Sequence, residues 1–518
     1  MPDDLGFWTL AQHDPDHLAV VDPDGHEVTR GELLASANQL VHALRALGLE
    51  QGDVIATVVP NGIPMLELFM AATQAGWYIT PINFHLAAPE IAYIVADCEA
   101  KALFGHERFA DTLTKAVAEI GYPTDRCFAI GDVPGFQPYA ELKAGQPTTQ
   151  PDNRSFGLPM QYTSGTTGKP KGVRRALPGV DPDLAAQFTG GFLGMFGILP
   201  HDGNVHLTVS PLYHTAVLMF TQSSMHLGHP VVLMDKWTPE GTLERIANHR
   251  VSTSHMVPTQ FHRLLALPEQ VRANYDVSSL RHMIHAAAPC PPEIKRRMIE
   301  WWGNAIDEYY AATEGGGTIV NAADWMQHQG TVGRAWPNAE IRIFDDDGNE
   351  LAPGEIGTVY MKMANADFEY YKDKEKTDAS RKHGFFTVGD VGYLDEDGWL
   401  FLRDRKTDMI ISGGVNIYPA EIENELLTHP KVGDAAVFGI PHPDWGEEVK
   451  AVIEPEDGVV ASPALADELL AFLADRIAGY KVPKSIDFVE ALPRDPNGKL
   501  YKRRIRDRYW EGRASRIL

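Results

Sequence analysis

The sequence predicts an α/β fold: a large N-terminal α/β domain of layered sheets and helices, residues 1–404, and a small C-terminal α+β lid domain, 405–518. Three observations carry this prediction. In the first half of the chain, apolar runs of strand length alternate with longer helix-like segments, the pattern of largely parallel sheets. Past residue 335 the texture changes to alternating residues around acidic-Gly turns, which reads as β-hairpins. After Arg405 comes a compact unit of about 110 residues, enough for a small α+β domain.

Taken in order, residues 54–59 (VIATVV) form a buried-strand candidate, and 64–75 follow with apolar residues at helical spacing. Residues 205–209 lead into Pro211 as a second strand, and 230–234 (PVVLM) form another short apolar run. IRIFDDDGNEL at 341–351 and DVGYLDEDGWLFL at 390–402 each predict a hairpin. Their acidic runs lack the alternate acids and following Glu of a calcium loop, so they read as turns. In the C-terminal unit, 419–427 and 463–477 read as helices, and 435–440 and 485–489 as strands.

Across 518 residues, 46 Lys+Arg stand against 70 Asp+Glu, a net charge of −24. Such an excess repels phosphate backbones and anionic membranes, which argues against nucleic-acid binding. Cys98, Cys127 and Cys290 lie far apart with no CxxC pair, which excludes a disulfide framework and a cysteine-rich zinc site. The apolar stretch 213–234 is broken by Gln222, His226, Gly228 and Pro230, too soon for a membrane span of roughly 20 residues. The acidic N-terminus lacks a basic-then-apolar secretion signal. The expectation is a cytoplasmic protein acting on small molecules, with no nucleic acid and no integral membrane segment; a homodimer is compatible with the sequence but not read from it.

The most informative stretch is YTSGTTGKPKG at 162–172. Glycines let backbone N–H groups approach oxygen atoms, hydroxyls donate hydrogen bonds and lysines neutralise charge, so this loop can wrap a polyphosphate. It is not a Walker loop, because Pro170 follows Lys169. A flexible surface linker has a similar composition, although two lysines flanking a proline do not suit one.

Residues 163–172 resemble the phosphate loop of the adenylate-forming superfamily, the AMP-binding enzymes that include acyl-CoA synthetases, fatty-acid–CoA ligases and peptide-synthetase adenylation domains. Further resemblances follow in order: YAATE at 310–314, TVGD at 387–390, Asp404-Arg405 with ISGGVNIYPAEIE at 411–423, and LPRDPNGK at 492–499. The resemblance implies ATP-dependent activation of a fatty, aromatic or polycyclic carboxylic acid through an acyl-adenylate, then transfer to the CoA thiol. It implies ATP, Mg²⁺ and CoA as cofactors. The alternative acceptor is an amine, giving an amide bond synthetase.

By the same resemblance, Thr163, Ser164, Gly165, Thr166, Thr167, Gly168 and Lys169 hold the ATP phosphates, with Thr166 among the catalytic groups. Glu314 holds Mg²⁺, with Thr313 near the α-phosphate. Tyr310 stacks on adenine beside Ala287 and Ala311. Asp390 suits the ribose diol, since a carboxylate accepts from two vicinal hydroxyls, and Arg405 assists. Lys499 bridges carboxylate and α-phosphate oxygens, a compact ammonium where negative charge crowds. His214, Thr259, Ala312, Gly315 and Gly316 line the acyl pocket, and Gly413 and Gly414 the CoA path. Ala311 stands where the family usually has Gly, Val388 interrupts its Thr-Gly-Asp, Asp404 replaces a common Gly, and Thr407 occupies the hinge position usually held by Asp or Lys. The basic C-terminal run, from Lys499 and Lys502 to Arg516, reads as a solvated helix face, with attraction of CoA phosphates as the alternative.

Overall fold

Every residue of the strand Val54–Val58 is buried, and its side chains divide between two cores. The computed structural model describes residues 5–163, 170–363, 367–412, 415–494 and 500–511. They form two compact units, one of Met1–His255, Pro268–Met283 and Asp367–Asp378, the other of Met256–Leu267, Ile284–Ala366 and Ala379–Leu518.

The first unit contains a six-stranded parallel sheet in the order Gln137–Pro138, Cys127–Ile130, Ala102–His106, Val54–Val58, Tyr78–Pro81, Leu158–Pro159. Side chains alternate faces along each strand. Ile55, Ile79, Phe104 and Phe128 enter one core with the helices Arg30–Ala46 and Ile63–Ala75. Val54, Ala56, Tyr78 and Leu103 enter the other with Ala88–Asp97 and Ala110–Ile120. A sheet buried on both faces explains why its strands read as continuous apolar runs.

A second parallel set joins His206–Thr208 to Val231–Leu233 on one side and Thr253–Met256 on the other. The apolar stretch at 213–234 resolves into the helix Thr215–His226 and the strand Val231–Leu233. Among the described residues, no helix is long and apolar enough to cross a membrane.

In the second unit the hairpin expected at 341–351 needs correction. Ala339–Phe344 pairs along its length with Gly357–Met363, and only the Phe344–Glu350 bridge closes across the acidic turn. The second expected hairpin is present, Asp390–Leu394 with Leu400–Arg405. Both turns are built by their first aspartate: Asp345 Oδ1 accepts from the Gly348 and Asn349 amides, and Asp395 Oδ1 from those of Asp397 and Trp399.

The C-terminal part has its own five-stranded sheet, in which Val432–His442 and Gly446–Pro455 form a long hairpin and the second arm also pairs with Ile410–Ser412 and, in parallel, with Ser485–Phe488. The helices Pro419–Leu426 and Pro463–Ala474 bury Ile422, Leu426, Leu465, Leu469 and Leu473 against one face. Sequence reasoning finds only part of the first arm and omits the second. The fold is α/β, a large N-terminal part followed by a small C-terminal one.

Candidate active site

Strand Ile306–Ala311 ends in the turn that carries Ala312, Thr313 and Glu314, and Gly317–Asn321 returns antiparallel to it. Gly315 and Gly316 have φ of 122° and 73°, left-handed conformations that glycine adopts without strain. A Cβ on Gly317 would come within 2.3 Å of the Tyr310 carbonyl oxygen, so this position must lack a side chain. Ala311 lies in regular strand geometry paired with Gly317, which explains why alanine serves there in place of glycine. Glu314 is buried.

Tyr310, Asp390 and Arg405 form the best-defined constellation. The Tyr310 hydroxyl donates to Asp390 Oδ2 at 2.6 Å, and Arg405 Nε lies 3.4 Å from Asp390 Oδ1. Asp390 and Arg405 face each other across adjacent strands, so backbone pairing sets their approach. Burial, reinforced by the Asp390 charge, pushes the Tyr310 phenol well above its ordinary value and keeps it a neutral donor. Among the described residues each Asp390 oxygen has a single partner, and a carboxylate oxygen can accept from two donors, as a diol partner requires.

Ala287 has φ of 71° without being glycine, a strained conformation of the kind that collects at ligand sites. The resemblance places Ala287 at the adenine, but no sequence signal marks its backbone conformation. Thr259 lies in the first turn of the helix Pro258–Ala266, where Gln260 Oε1 accepts from the Val257 amide at 3.0 Å.

In the first unit, Thr163 ends the strand Gln161–Thr163 and pairs with Lys171 of Lys171–Arg174, so the phosphate-loop motif lies between two hydrogen-bonded strands. The Tyr93 hydroxyl donates to the Pro170 carbonyl at 3.2 Å, and Lys171 Nζ lies 3.3 Å from Asp373. Ser164, Gly165, Thr166, Thr167, Gly168 and Lys169 lie outside the described residues, as do Gly413, Gly414 and Lys499.

His214 occupies the N-cap position of Thr215–His226, its ring 4.3 Å from that of Tyr213. Sequence reasoning misses the residue that fixes this segment. Buried Asn61 donates to the Ser210 and Met234 carbonyls at 2.9 and 2.8 Å and accepts from the Leu212 amide at 2.8 Å. A single side chain thereby ties two strand exits to the 211–214 turn. Its only signal is its place in the PNG that follows a strand.

Beyond Arg405, the Lys406 amide donates to the Gly389 carbonyl at 2.9 Å. Asp404, where the family commonly has glycine, accepts from the Arg405 amide at 2.7 Å and the Ala420 amide at 2.9 Å. Its carboxylate therefore supplies the N-terminus of Pro419–Leu426 with the cap that Tyr418 does not provide.

Comparison with known proteins identifies the family. The family described as AMP-binding enzyme matches residues 7–371, and the AMP-binding enzyme C-terminal domain matches 421–499. A feruloyl-CoA synthase from Amycolatopsis sp is 34% identical, over 98% of this chain and 99% of its own length. Among solved structures, the amide bond synthetase McbA from Marinactinospora thermotolerans superposes with a TM-score of 0.82 at 26% identity, covering 97% of this chain and 99% of that one. The o-succinylbenzoate CoA synthetase from Bacillus subtilis, solved with its acyl-adenylate intermediate, gives 0.80 at 26% identity and covers 98% of both chains. With two family domains matched in order and relatives aligned end to end, the chain belongs to the AMP-binding, adenylate-forming enzymes.

Proposed function

We propose that this protein is an AMP-forming acyl-CoA synthetase. The carboxylate of an organic acid attacks the α-phosphorus of ATP, pyrophosphate leaves, and the CoA thiol then displaces AMP from the acyl-adenylate. The observation that supports it most is the Tyr310–Asp390–Arg405 constellation. It presents an aromatic ring and a carboxylate with spare acceptor capacity side by side, as a nucleoside requires.

Two anions must meet in the first step, so preorganised positive charge and hydrogen-bond donors are the chief requirement. Thr163 and the loop through Lys169 hold the β- and γ-phosphates, and Thr166 donates to them. Tyr310 stacks on adenine between Ala287 and Ala311, Asp390 takes the ribose hydroxyls, and Thr313 faces the α-phosphate. Lys499, in the small domain beginning near Arg405, neutralises the developing charge at phosphorus. Glu314 is the residue that would hold Mg²⁺. A single buried carboxylate suits that ion, which would take its other ligands from phosphate oxygens and water. When bound, the ion offsets phosphate charge.

The acid is fatty, aromatic or polycyclic. His214 and Thr259 border its carboxylate end, and Ala312, Gly315 and Gly316 leave it room. Gly413 and Gly414 line the thiol's path. Reaction in the cytoplasm follows from the need for ATP and CoA. The likeness to an amide bond synthetase supports a second reading, in which an amine takes the acyl group, and Thr407 at the hinge is where the two readings would diverge. Pyrophosphate release over a panel of carboxylic acids tests the reaction. Mass spectrometry of parallel incubations with CoA or an amine identifies the acceptor: thioester with CoA is expected, and amide formed in preference would favour the second reading.

A further inference from the structure

Two largely buried ion pairs flank residues 495–499 in the sequence. Before them, Arg494 makes two parallel hydrogen bonds to Asp434, Nε to Oδ2 and Nη2 to Oδ1, the second at 2.7 Å. After them, Lys502 Nζ lies 2.8 Å from Glu423 Oε1, and both side chains are largely buried. The two clamps share an anchor. Asp434 belongs to the strand Val432–His442, and Glu423 Oε1 also accepts from the Val437 amide of that strand at 2.6 Å.

The backbone is closed at the same place. Arg494 and Leu500 form an antiparallel bridge, and the Tyr501 amide donates to the Pro493 carbonyl at 2.8 Å. Leu492 and Ile505 bury into one cluster with Ala436, Phe438 and Val452. Burial lowers the proton affinity of the Lys502 ammonium, but Glu423, with Asp404 and Asp408, outweighs it and holds the charge. Arg494 balances the same way, burial opposed by Asp434. Isolated buried pairs contribute little net stability and are better suited to fixing one arrangement among several. A bidentate guanidinium–carboxylate pair fixes orientation as well as position.

We propose that Arg494 and Lys502 are positioning residues for Lys499, holding both ends of its segment to one strand so that the ammonium arrives in register with the carboxylate and α-phosphate. This rests on the assignment of Lys499 to adenylation. A charge misplaced by about an ångström loses much of its effect on the reacting atoms while substrate binding changes little. The clamps therefore act on the first half-reaction and not on thiol attack.

The experiment compares two rates in one preparation of full-length protein: pyrophosphate release from acid and ATP, and thioester formation from chemically supplied acyl-adenylate and CoA. Their ratio is independent of the folded fraction. Lys502→Met should lower the ratio at least tenfold through kcat, with KM for ATP within about twofold, and Lys502→Arg should recover most of it. Arg494→Lys, which keeps the charge but loses the paired geometry, should lower it several-fold and carries the same test if Lys502→Met does not fold. Half-reactions that fall together, or a ratio unchanged in Lys502→Met and Arg494→Lys, would overturn the proposal. Lys499→Ala is measured alongside. If it keeps its adenylation rate, the assignment of Lys499 fails and the proposal falls with it; if it loses that rate while the clamp variants keep theirs, only the positioning role is wrong.

Discussion

Tyr310 and Asp390, eighty positions apart in sequence, are joined by a 2.6 Å hydrogen bond that orients the ring and the carboxylate of the nucleoside site together. Removing the hydroxyl leaves the ring but frees the carboxylate to rotate. Tyr310→Phe should raise KM for ATP roughly tenfold with little change in kcat, given about 1.5 kcal/mol for a bond to a charged group. Asp390→Ala should raise KM further, since its ribose contacts are alike in ground and transition states. Steady-state kinetics with ATP varied checks both; a fall in kcat at constant KM would contradict the role.

Glu314→Gln should lower the adenylation rate at least about tenfold, a barrier increase of about 1.4 kcal/mol. The loss should persist at saturating Mg²⁺, because the substitution removes the charge that holds the ion beside the phosphates. Wild-type rates at high Mg²⁺ would remove Glu314 from the metal site.

Lys499→Ala and Gly414→Leu should fail in opposite halves of the reaction. The first removes a charge needed while the carboxylate attacks phosphorus, so pyrophosphate release should fall about 10²-fold or more while supplied acyl-adenylate is still converted to thioester. The second fills space needed by the pantetheine arm, so it should release pyrophosphate once per site and stall with bound adenylate. Single-turnover measurements of both steps decide it. Failure of both variants in the same step would contradict a small domain that presents two faces in turn.

Stability should depend steeply on pH in mild acid. Burial drives the His206 and His255 imidazoles down to about 3 and that of His226 to about 4, all from an ordinary value of 6.5. Between pH 6.5 and about 4 the unfolded chain takes up these protons and the folded chain does not, so stability falls as pH falls. Each histidine contributes about 1.4 kcal/mol per pH unit, about 4 kcal/mol for the three together. The unfolded imidazoles are only half protonated at pH 6.5, so urea unfolding at pH 6.5 and 5.5 should show a loss of about 3 kcal/mol, of which His255→Phe should remove about a third. Equal midpoints at the two pH values would mean these histidines are charged in the folded state.

Much of this architecture is legible in the sequence because the governing signals are local. The run at 54–59 is apolar throughout since its strand is buried on both faces, and the turns at 345–348 and 395–398 are set by one aspartate each. The arm Gly446–Pro455 escapes detection because Lys450 breaks what would otherwise be a continuous apolar run from Val449 to Ile453. Lys450 is nonetheless buried, its charge held 2.6 Å from Asp487 on a neighbouring strand, a partner thirty-seven positions away that no window reveals. At the site, motif order brings out Tyr310, Glu314 and Asp390. The roles of Asn61, Asp404 and the clamps of Arg494 and Lys502 are not legible for one reason: they lie in partners set by tertiary packing.

The central claim is that a carboxylate oxygen attacks the α-phosphorus of ATP, and oxygen-18 in the acid's carboxylate tests it most directly. After turnover with ATP and CoA, thiol attack cleaves the bond between the acyl carbon and its oxygen and leaves that oxygen on the nucleotide. The account predicts AMP carrying one labelled phosphate oxygen, together with pyrophosphate and the acyl thioester. Label appearing in inorganic phosphate with ADP as co-product, or unlabelled AMP, would contradict it.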